Sequence, residues 1–198
     1  HALSLAELSR LIATRKLSPV ELVEVLIRRV EQYDAQTHAF ITPTFDRARR
    51  QARQAEAEIA AGRSRGPLHG IPFGLKDIYD TAGILTSAHS RVFMNRIPTE
   101  DAAATTKLYE AGAVLLGKLA THEMAHAGPS FDLPWPPARN PWNLAHFTGG
   151  SSTGSGAAVA AAQLQTSSSR RSAMPGVASV MRSWFSCEVT RRQPSCSG

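Results

Sequence analysis

Over the first sixty residues, apolar positions recur with the period of an amphipathic helix. Ser4 and Glu7 stand three positions apart at the start of this pattern, which is the spacing of a capping box. Ser18 and Glu21 repeat that spacing, and Pro19 also suits the first position of a helix. The apolar residues behind the two boxes predict two helices: Leu5, Leu8, Leu11 and Ile12, then Leu22, Val23, Leu26, Ile27 and Val30.

A third helix is predicted over 46–61, with a narrow face of small apolar residues, and Gly62 is placed to end it. Beyond residue 66 the pattern changes to short apolar runs between turn-forming residues, which predicts loop, short strand and loop over 66–77. A helix over 101–111 and a buried strand over 113–117 follow. This mixture of helices and strands predicts an α/β architecture.

The region 129–141 contains five prolines, which predicts an irregular loop. A glycine- and serine-rich loop over 148–156 then runs directly into a helix of alanine residues. A flexible linker is the weaker interpretation, because linkers rarely open straight into such a helix. A phosphate-binding loop would need a lysine after the last glycine, and none is present. The remaining interpretation is a loop whose backbone N–H groups and hydroxyls stabilise developing negative charge.

Composition and charge exclude several classes of protein. Of the 198 residues, 42% are apolar and 19% are charged, which is typical of a globular chain. No apolar run approaches the roughly 18 residues of a membrane span, so no membrane partner is expected. The net charge is +6, but residues 164–198, with five arginines and one glutamate, supply four of those charges, so no specific nucleic-acid partner is expected. Two cysteines cannot form a disulfide framework, which favours the cytoplasm.

Lys76 is the first candidate for chemistry. An isolated lysine is usually a solvated surface charge, but apolar residues surround this one on both sides: Ile71, Phe73, Leu75 and Ile78. A lysine that acts as a base must be neutral, whereas its ordinary pKa is about 10.4. Lowering that pKa to about 7–8 costs about 4 kcal/mol of desolvation or positive field, which only a dedicated site supplies.

Five segments of the chain occur in an order and at a spacing that are specific when taken together. They are Gly70-Ile71-Pro72-Phe73-Gly74-Leu75-Lys76-Asp77, Asp80-Thr81-Ala82-Gly83, the stretch 108–118, Asn140-Pro141-Trp142 and the stretch 149–161. With the two capped helices before them, these segments resemble the amidase signature family over roughly residues 1–163. The resemblance implies an α/β amidase-signature fold, a mixed central sheet surrounded by helices, that is incomplete in this chain.

The resemblance also implies a hydrolase that cleaves the C–N bond of a small-molecule carboxylic amide through a Ser-Ser-Lys triad, without a cofactor. By position, Lys76 is the neutral base, and Ser151 is the bridging serine, which the family holds through a cis peptide. Gly149, Gly150 and Ser152 support the loop around it. A second serine attacks the carbonyl and forms an acyl-enzyme that water or ammonia resolves. A close relative releases ammonia from glutamine for a tRNA amidotransferase, which implies partner subunits as an alternative.

The segment that carries the nucleophile in the family is absent from its expected position. That segment is of the type Asp-Thr-Gly-Gly-Ser-Ile-Arg, and its backbone also supplies the oxyanion hole. Here the position falls near Pro175, and no Gly-Gly-Ser follows residue 156. The chain as written is therefore expected to be inactive, with 164–198 as an aberrant or unstructured tail.

A shifted reading frame is one hypothesis for this tail. When the codons from Arg170 to Met181 are regrouped, they permit Ala-Leu-Gly-(Asp or Asn)-Ala-Gly-Gly-Ser-Ile-Arg. The last base of Met174 with the first two of Pro175 must then encode alanine, whereas the other positions are only allowed. The alternative is a naturally divergent tail, which makes the chain a non-catalytic fragment.

The stretch from His122 to His126 matches the pattern His-Glu-x-x-His. On a helix, two histidines four positions apart share a face and bind zinc, and Glu123 would act as the base of a zinc hydrolase. Asp132 stands where a third ligand occurs in some such enzymes, but Pro129 occupies the position of an expected glycine. The same stretch is ordinary in the amidase signature family, where the glutamate is structural, so no metal is expected.

Overall fold

The protein is described here by a computed structural model that covers residues 3–164. Its elements are α1 (Leu5–Ala13), α2 (Pro19–Thr37), β1 (Phe40–Pro43), α3 (Phe45–Ala60), β2 (Pro72–Lys76), α4 (Ala103–Glu110), β3 (Val114–Leu119), β4 (Arg139–Asn140), β5 (Asn143–Phe147) and α5 (Thr153–Ala160). The central sheet has the order β1–β3–β2, with β1 antiparallel and β2 parallel to β3, and β4 pairs with β5. This mixed sheet with its helices confirms the predicted α/β class. No helix between residues 3 and 164 is both long and apolar enough to cross a membrane.

Both predicted helix starts are confirmed. The Ser4 hydroxyl accepts a hydrogen bond from the Glu7 N–H at 3.3 Å, and the Glu7 carboxylate accepts one from the Ser4 N–H at 2.7 Å. The Ser18 hydroxyl accepts hydrogen bonds from the N–H groups of Val20 and Glu21 at the start of α2. These bonds satisfy N–H groups that the first turn of a helix otherwise leaves unpaired.

The helices α1, α2 and α3, which we call the helical layer, bury the apolar stripes predicted from the sequence. The buried residues are Leu5, Leu8, Ile12, Leu22, Val23, Leu26, Ile27, Val30, Ala48, Ala52, Ala55 and Ile59. The small residues of α3 allow it to pack closely against α2 and β3. Gly62 follows the end of α3 with φ of 75°, as the sequence predicted.

Strand β1 lies within the first sixty residues, where the sequence predicted only helices. Helix α2 is capped at its C-terminal end by His38, which takes the left-handed conformation with φ of 48°. A glycine is the usual sequence signal for such an end, and here that signal is missing. The Asp34 carboxylate accepts hydrogen bonds from the N–H groups of Ala39 and Phe40, which hold the chain as it enters β1. A strand of four residues is too short to show a clear alternating pattern, and its pairing with β3 depends on distant residues.

One irregularity of the sheet decides where two lysine side chains point. The pairing of β2 with β3 skips one residue of β3, Leu116, between the pairs that Phe73 and Gly74 form. Because side chains alternate along a strand, this β-bulge places Lys118 on the face opposite to Lys76. We call these two sides of the sheet the Lys76 face and the Lys118 face.

Helix α5 lies in direct backbone contact with the ends of β1 and β3. The Gly154 N–H donates to the Ala120 carbonyl at 2.8 Å, and a Cβ built on Gly154 would overlap backbone atoms of Ala39 and Ala120. At the other end of α5, the Arg29 guanidinium donates to the Ala162 carbonyl at 2.7 Å. Helix α5 begins at Thr153, so the loop predicted over 148–156 ends earlier than residue 156.

Candidate active site

Lys76 and Ser151, which are 75 positions apart, meet at the end of β2. The Lys76 ammonium nitrogen Nζ donates a hydrogen bond to Ser151 Oγ at 2.7 Å. Lys76 is half-buried, and Ser151 is buried in the loop before α5. The peptide bond between Gly150 and Ser151 is cis. The structure thus brings the two residues together as the resemblance led us to expect, and their catalytic roles stay predictions.

The end of β2 presents Lys76 at the point where the chain leaves the sheet. The Asp77 N–H still donates to the Leu119 carbonyl at 3.0 Å, which continues the parallel ladder for one residue. The Lys76 carbonyl then accepts hydrogen bonds from the N–H groups of Ile78 and Tyr79, which turn the chain away. Lys76 is therefore held on a strand whose last ladder bond lies immediately after it.

Close packing on His122 holds the loop that carries Ser151. The His122 N–H donates to the Ser151 carbonyl at 3.0 Å, and the imidazole ring lies so near Gly150 that a Cβ there would overlap it. By contrast, a Cβ on Gly149 would meet no atom of residues 3–164 within 4 Å, so the packing of this part of the chain does not require a glycine there. Ser152 immediately precedes α5. Of the predicted loop residues, Gly150 has the clearest physical reason for its identity.

A second lysine, which the sequence analysis did not assign to a site, is fully buried on the Lys118 face. Lys118 Nζ lies 3.2 Å from the Asp77 carboxylate and donates to the Tyr79 carbonyl at 2.8 Å and to the Thr86 hydroxyl at 2.7 Å. Burial lowers the pKa of the Lys118 ammonium, and the Asp77 charge opposes that shift. The signal in the sequence that could have indicated this buried ion pair was a single lysine within an otherwise apolar strand.

The structure contradicts the helix on which the zinc alternative depended. Glu123–Ala125 form a single 3₁₀ turn, and Met124 within it has a left-handed φ of 48°. Because no α-helix connects His122 with His126, the two rings do not share a helix face. Within residues 3–164, no group of three His, Cys, Asp or Glu side chains is arranged to hold a metal ion.

The predicted nucleophile position near Pro175 and the predicted tail lie outside the described residues, apart from Leu164. Leu164 is buried and packs in the main core. A Cβ built on Gly74 would crowd both Leu164 and Leu119, so the end of the described chain covers the Lys76 face beside β2.

The chain belongs to the Amidase family, whose sequence profile matches residues 21–168. It is 43% identical over 159 residues to a subunit of glutamyl-tRNA(Gln) amidotransferase from Geobacter sp. (strain M21). That alignment covers 80% of this chain and 33% of the relative. The chain therefore spans about a third of the length of the curated relatives that it matches.

Solved structures show the same relationship. A peptide amidase from Stenotrophomonas maltophilia is 34% identical, with a TM-score of 0.75 over 81% of this chain and 34% of its own. A chain from a vestigial protein complex, described as revealing the evolutionary origins of an s-triazine catabolic enzyme, is 33% identical. Its TM-score is 0.78 over 82% of this chain and 36% of its own. These likenesses confirm the amidase-signature fold.

Proposed function

We propose that this chain is the N-terminal part of an amidase that hydrolyses carboxylic amide C–N bonds with a Ser-Ser-Lys triad. Lys76 and Ser151 are two of its three members. The observation that carries the proposal is the 2.7 Å hydrogen bond between Lys76 Nζ and Ser151 Oγ in a chain of the Amidase family. A lysine that contacts a buried serine hydroxyl is the geometry that a base and its proton relay require.

In the proposed reaction, neutral Lys76 accepts the proton of the Ser151 hydroxyl. Ser151 in turn accepts the proton of a second serine, whose oxygen attacks the amide carbonyl and forms a tetrahedral intermediate. When that intermediate collapses, the C–N bond breaks, and the proton returns through Ser151 to the leaving amine. Water then attacks the acyl-enzyme by the same proton route and releases the carboxylic acid.

The 198-residue chain by itself is proposed to be inactive. Its sequence holds no Gly-Gly-Ser after residue 156, and this segment provides both the nucleophile and the oxyanion hole in the family. The relatives are about three times as long as the matched part. Activity therefore requires a nucleophile-bearing segment of the kind that the longer relatives contain.

A second candidate function is glutamine hydrolysis within a tRNA amidotransferase. The 43% identity to a subunit of glutamyl-tRNA(Gln) amidotransferase supports this second candidate. In this case the substrate is glutamine, the released ammonia passes to another protein of the same complex, and the protein works in the cytoplasm. The chemistry at Lys76 and Ser151 is the same for both candidates.

The triad is tested in a chimera in which residues 3–164 replace the matching third of the Geobacter relative. We expect hydrolysis of glutamine or of a simple aryl amide, and the preferred substrate separates the two candidates. Lys76→Ala removes nearly all activity, and Ser151→Ala lowers kcat by at least about 10²-fold, because proton transfer fails. Lys16→Ala, at an exposed position, is the control and leaves kcat unchanged. Wild-type turnover by either site variant contradicts the triad.

The unmodified chain provides the complementary measurement. Purified 1–198 is expected to show no hydrolysis of an aryl amide. Robust hydrolysis that a serine-reactive phosphonate blocks contradicts the proposed inactivity and reveals a nucleophile elsewhere in the sequence.

A further inference from the structure

We propose that Lys118 and Asp77 form a positioning pair that holds Lys76 against Ser151. This inference rests on the proposed function, since it assigns the pair a role in aligning the base with its proton relay. Neither residue touches the reacting atoms, because the Lys118 face is opposite to the Lys76 face.

The pair acts at the residue that directly follows Lys76. Asp77 and Lys118 are both fully buried, and their charged groups lie 3.2 Å apart. Lys118 Nζ also donates hydrogen bonds to the Tyr79 carbonyl and to the Thr86 hydroxyl. The ammonium therefore ties the end of β2 to two points on the loop that follows it.

The far end of that loop is tied to the same carboxylate. Asp77 Oδ2 accepts hydrogen bonds from the N–H and the hydroxyl of Ser87 at 2.9 and 2.6 Å. The Ala88 N–H donates to the Asp77 carbonyl at 2.9 Å. The loop over 78–88 is thus closed onto Asp77, which fixes the backbone from which the Lys76 side chain extends toward Ser151.

A role in stability alone explains this arrangement poorly. Apolar residues of similar volume often replace a buried ion pair with no loss of stability, because desolvation of two charges offsets their attraction. The β-bulge at Leu116 is a further local feature that serves the pair, since it turns Lys118 onto the face where Asp77 lies. A bulge beside a site commonly re-aims a side chain.

The chain is well suited to a direct test because its sequence contains only four lysines: Lys16, Lys76, Lys107 and Lys118. Lys16 and Lys107 are exposed and serve as internal references. The full 198-residue chain is labelled with ¹³C and ¹⁵N in lysine, and the Lys76 signal is assigned by its loss in Lys76→Met. The measured quantity is the change in the Lys76 side-chain chemical shifts that Ser151→Ala produces.

We expect Ser151→Ala to shift the Lys76 signals in the wild-type background and to leave both reference lysines unchanged. In the Asp77→Asn/Lys118→Met background, the same substitution is expected to move Lys76 no more than it moves Lys16 or Lys107. The double variant is used because it removes both charges and leaves neither unpaired in the interior. Retention of a dispersed backbone amide spectrum in a separate, uniformly ¹⁵N-labelled sample shows that this variant is folded.

Arg96→Met is the matched control. Arg96 forms a bidentate ion pair with Asp80 of the loop over 78–88, at 2.6 Å for both contacts, but this pair is partly exposed to solvent. In this background the response of Lys76 to Ser151→Ala is expected to stay at its wild-type size. Lys118→Arg, which keeps the charge, is expected to retain part of the response.

The possible outcomes are distinct. An undiminished Lys76 response in the folded double variant overturns the positioning role and leaves the proposed function intact. Unfolding of the double variant also overturns it, because the pair is then required for stability. If Ser151→Ala does not shift Lys76 in the wild-type chain, the contact between base and relay is absent, and both proposals fail.

Discussion

Two regions of this molecule are held together by different kinds of contact. The helical layer packs through long aliphatic side chains such as Leu8, Ile12 and Leu26. The other region, which we call the site layer, comprises β2, β3, the loop 148–152 and α5. It packs through close backbone approach at glycines and through buried polar groups such as Lys118.

The two kinds of packing differ in how they tolerate amino-acid substitutions. Aliphatic packing loses free energy in proportion to the volume removed, because neighbouring side chains relax only partly around a cavity. Backbone contact at Gly154 leaves no side chain that could move aside, so added atoms displace a whole element. We therefore expect graded responses to substitution in the helical layer and abrupt ones in the site layer.

The largest effect is expected from Leu26→Ala in α2. Leu26 is 1% exposed, and its truncation is expected to lower the free energy of unfolding by about 2–5 kcal/mol. Leu26→Met is expected to cost less than about 1.5 kcal/mol, because the volume is nearly kept. Urea denaturation of the chain provides the measurement. Val25→Ala, at the exposed neighbouring position, is the control and changes stability by at most about 0.5 kcal/mol.

Replacing either of two glycines of α5 with alanine is expected to change the free energy of unfolding by a smaller amount, and the two substitutions are expected to act in opposite directions. Gly154→Ala is expected to lower the free energy of unfolding by about 1–3 kcal/mol, because its methyl group meets the backbone of Ala120, which follows β3, and of Ala39, which precedes β1. Gly156→Ala is expected to raise the free energy of unfolding by about 0.5–1 kcal/mol. Its added methyl group meets Thr148 only at ordinary contact distance, and alanine favours the helix more than glycine does. Melting curves of the two variants decide the matter; equal shifts of Tm in the same direction would contradict the abrupt response proposed for the site layer.

The smallest change in the free energy of unfolding is expected at Glu58 of α3, where this helix meets the loop before β2. Hydrogen bonds from Arg65, then from Gln54, lower the pKa of Glu58 to about 2. Because the folded pKa lies below the ordinary value of 4.5, the stabilisation is complete above pH 4.5 and disappears as the pH falls toward about 2. Solvent screening limits it, so Glu58→Gln is expected to cost at most about 1 kcal/mol at pH 6.

Urea denaturation of the wild type and of Glu58→Gln at several pH values tests this sign. The difference between the two proteins is expected to shrink between pH 4.5 and pH 3. Glu100→Gln, at an exposed position, is the control. A difference that grows as the pH falls would show that Glu58 does not stabilise the fold as a carboxylate.

Local signals in the sequence predicted the helical layer well. Ser4 and Ser18 begin helices because their hydroxyls bond to backbone groups two or three residues away, so each signal is complete in a short segment. Strand β1 escaped prediction because its partner, β3, lies more than seventy residues later. The pattern from His122 to His126 was misleading, because two histidines four positions apart share a face in an α-helix but not across this 3₁₀ turn.

The candidate site could be predicted only in part. No periodicity links Lys76 with Ser151, and their association came from resemblance to a family. Lys118 could not be placed from the sequence, because a one-residue bulge decides which face of the sheet it occupies. Bulges depend on the partner strand as much as on the strand itself, so a single segment does not reveal them.

The bond between Arg29 and the Ala162 carbonyl joins positions 133 residues apart, and this separation orders events during synthesis. At roughly 5–20 residues per second, the ribosome needs roughly 7–27 s to make the intervening chain. The helical layer thus emerges and can associate while no α5 exists for Arg29 to bind. The helices α1, α2 and α3 can therefore pack first, and Lys76 can meet Ser151 only after a further 75 residues have been made.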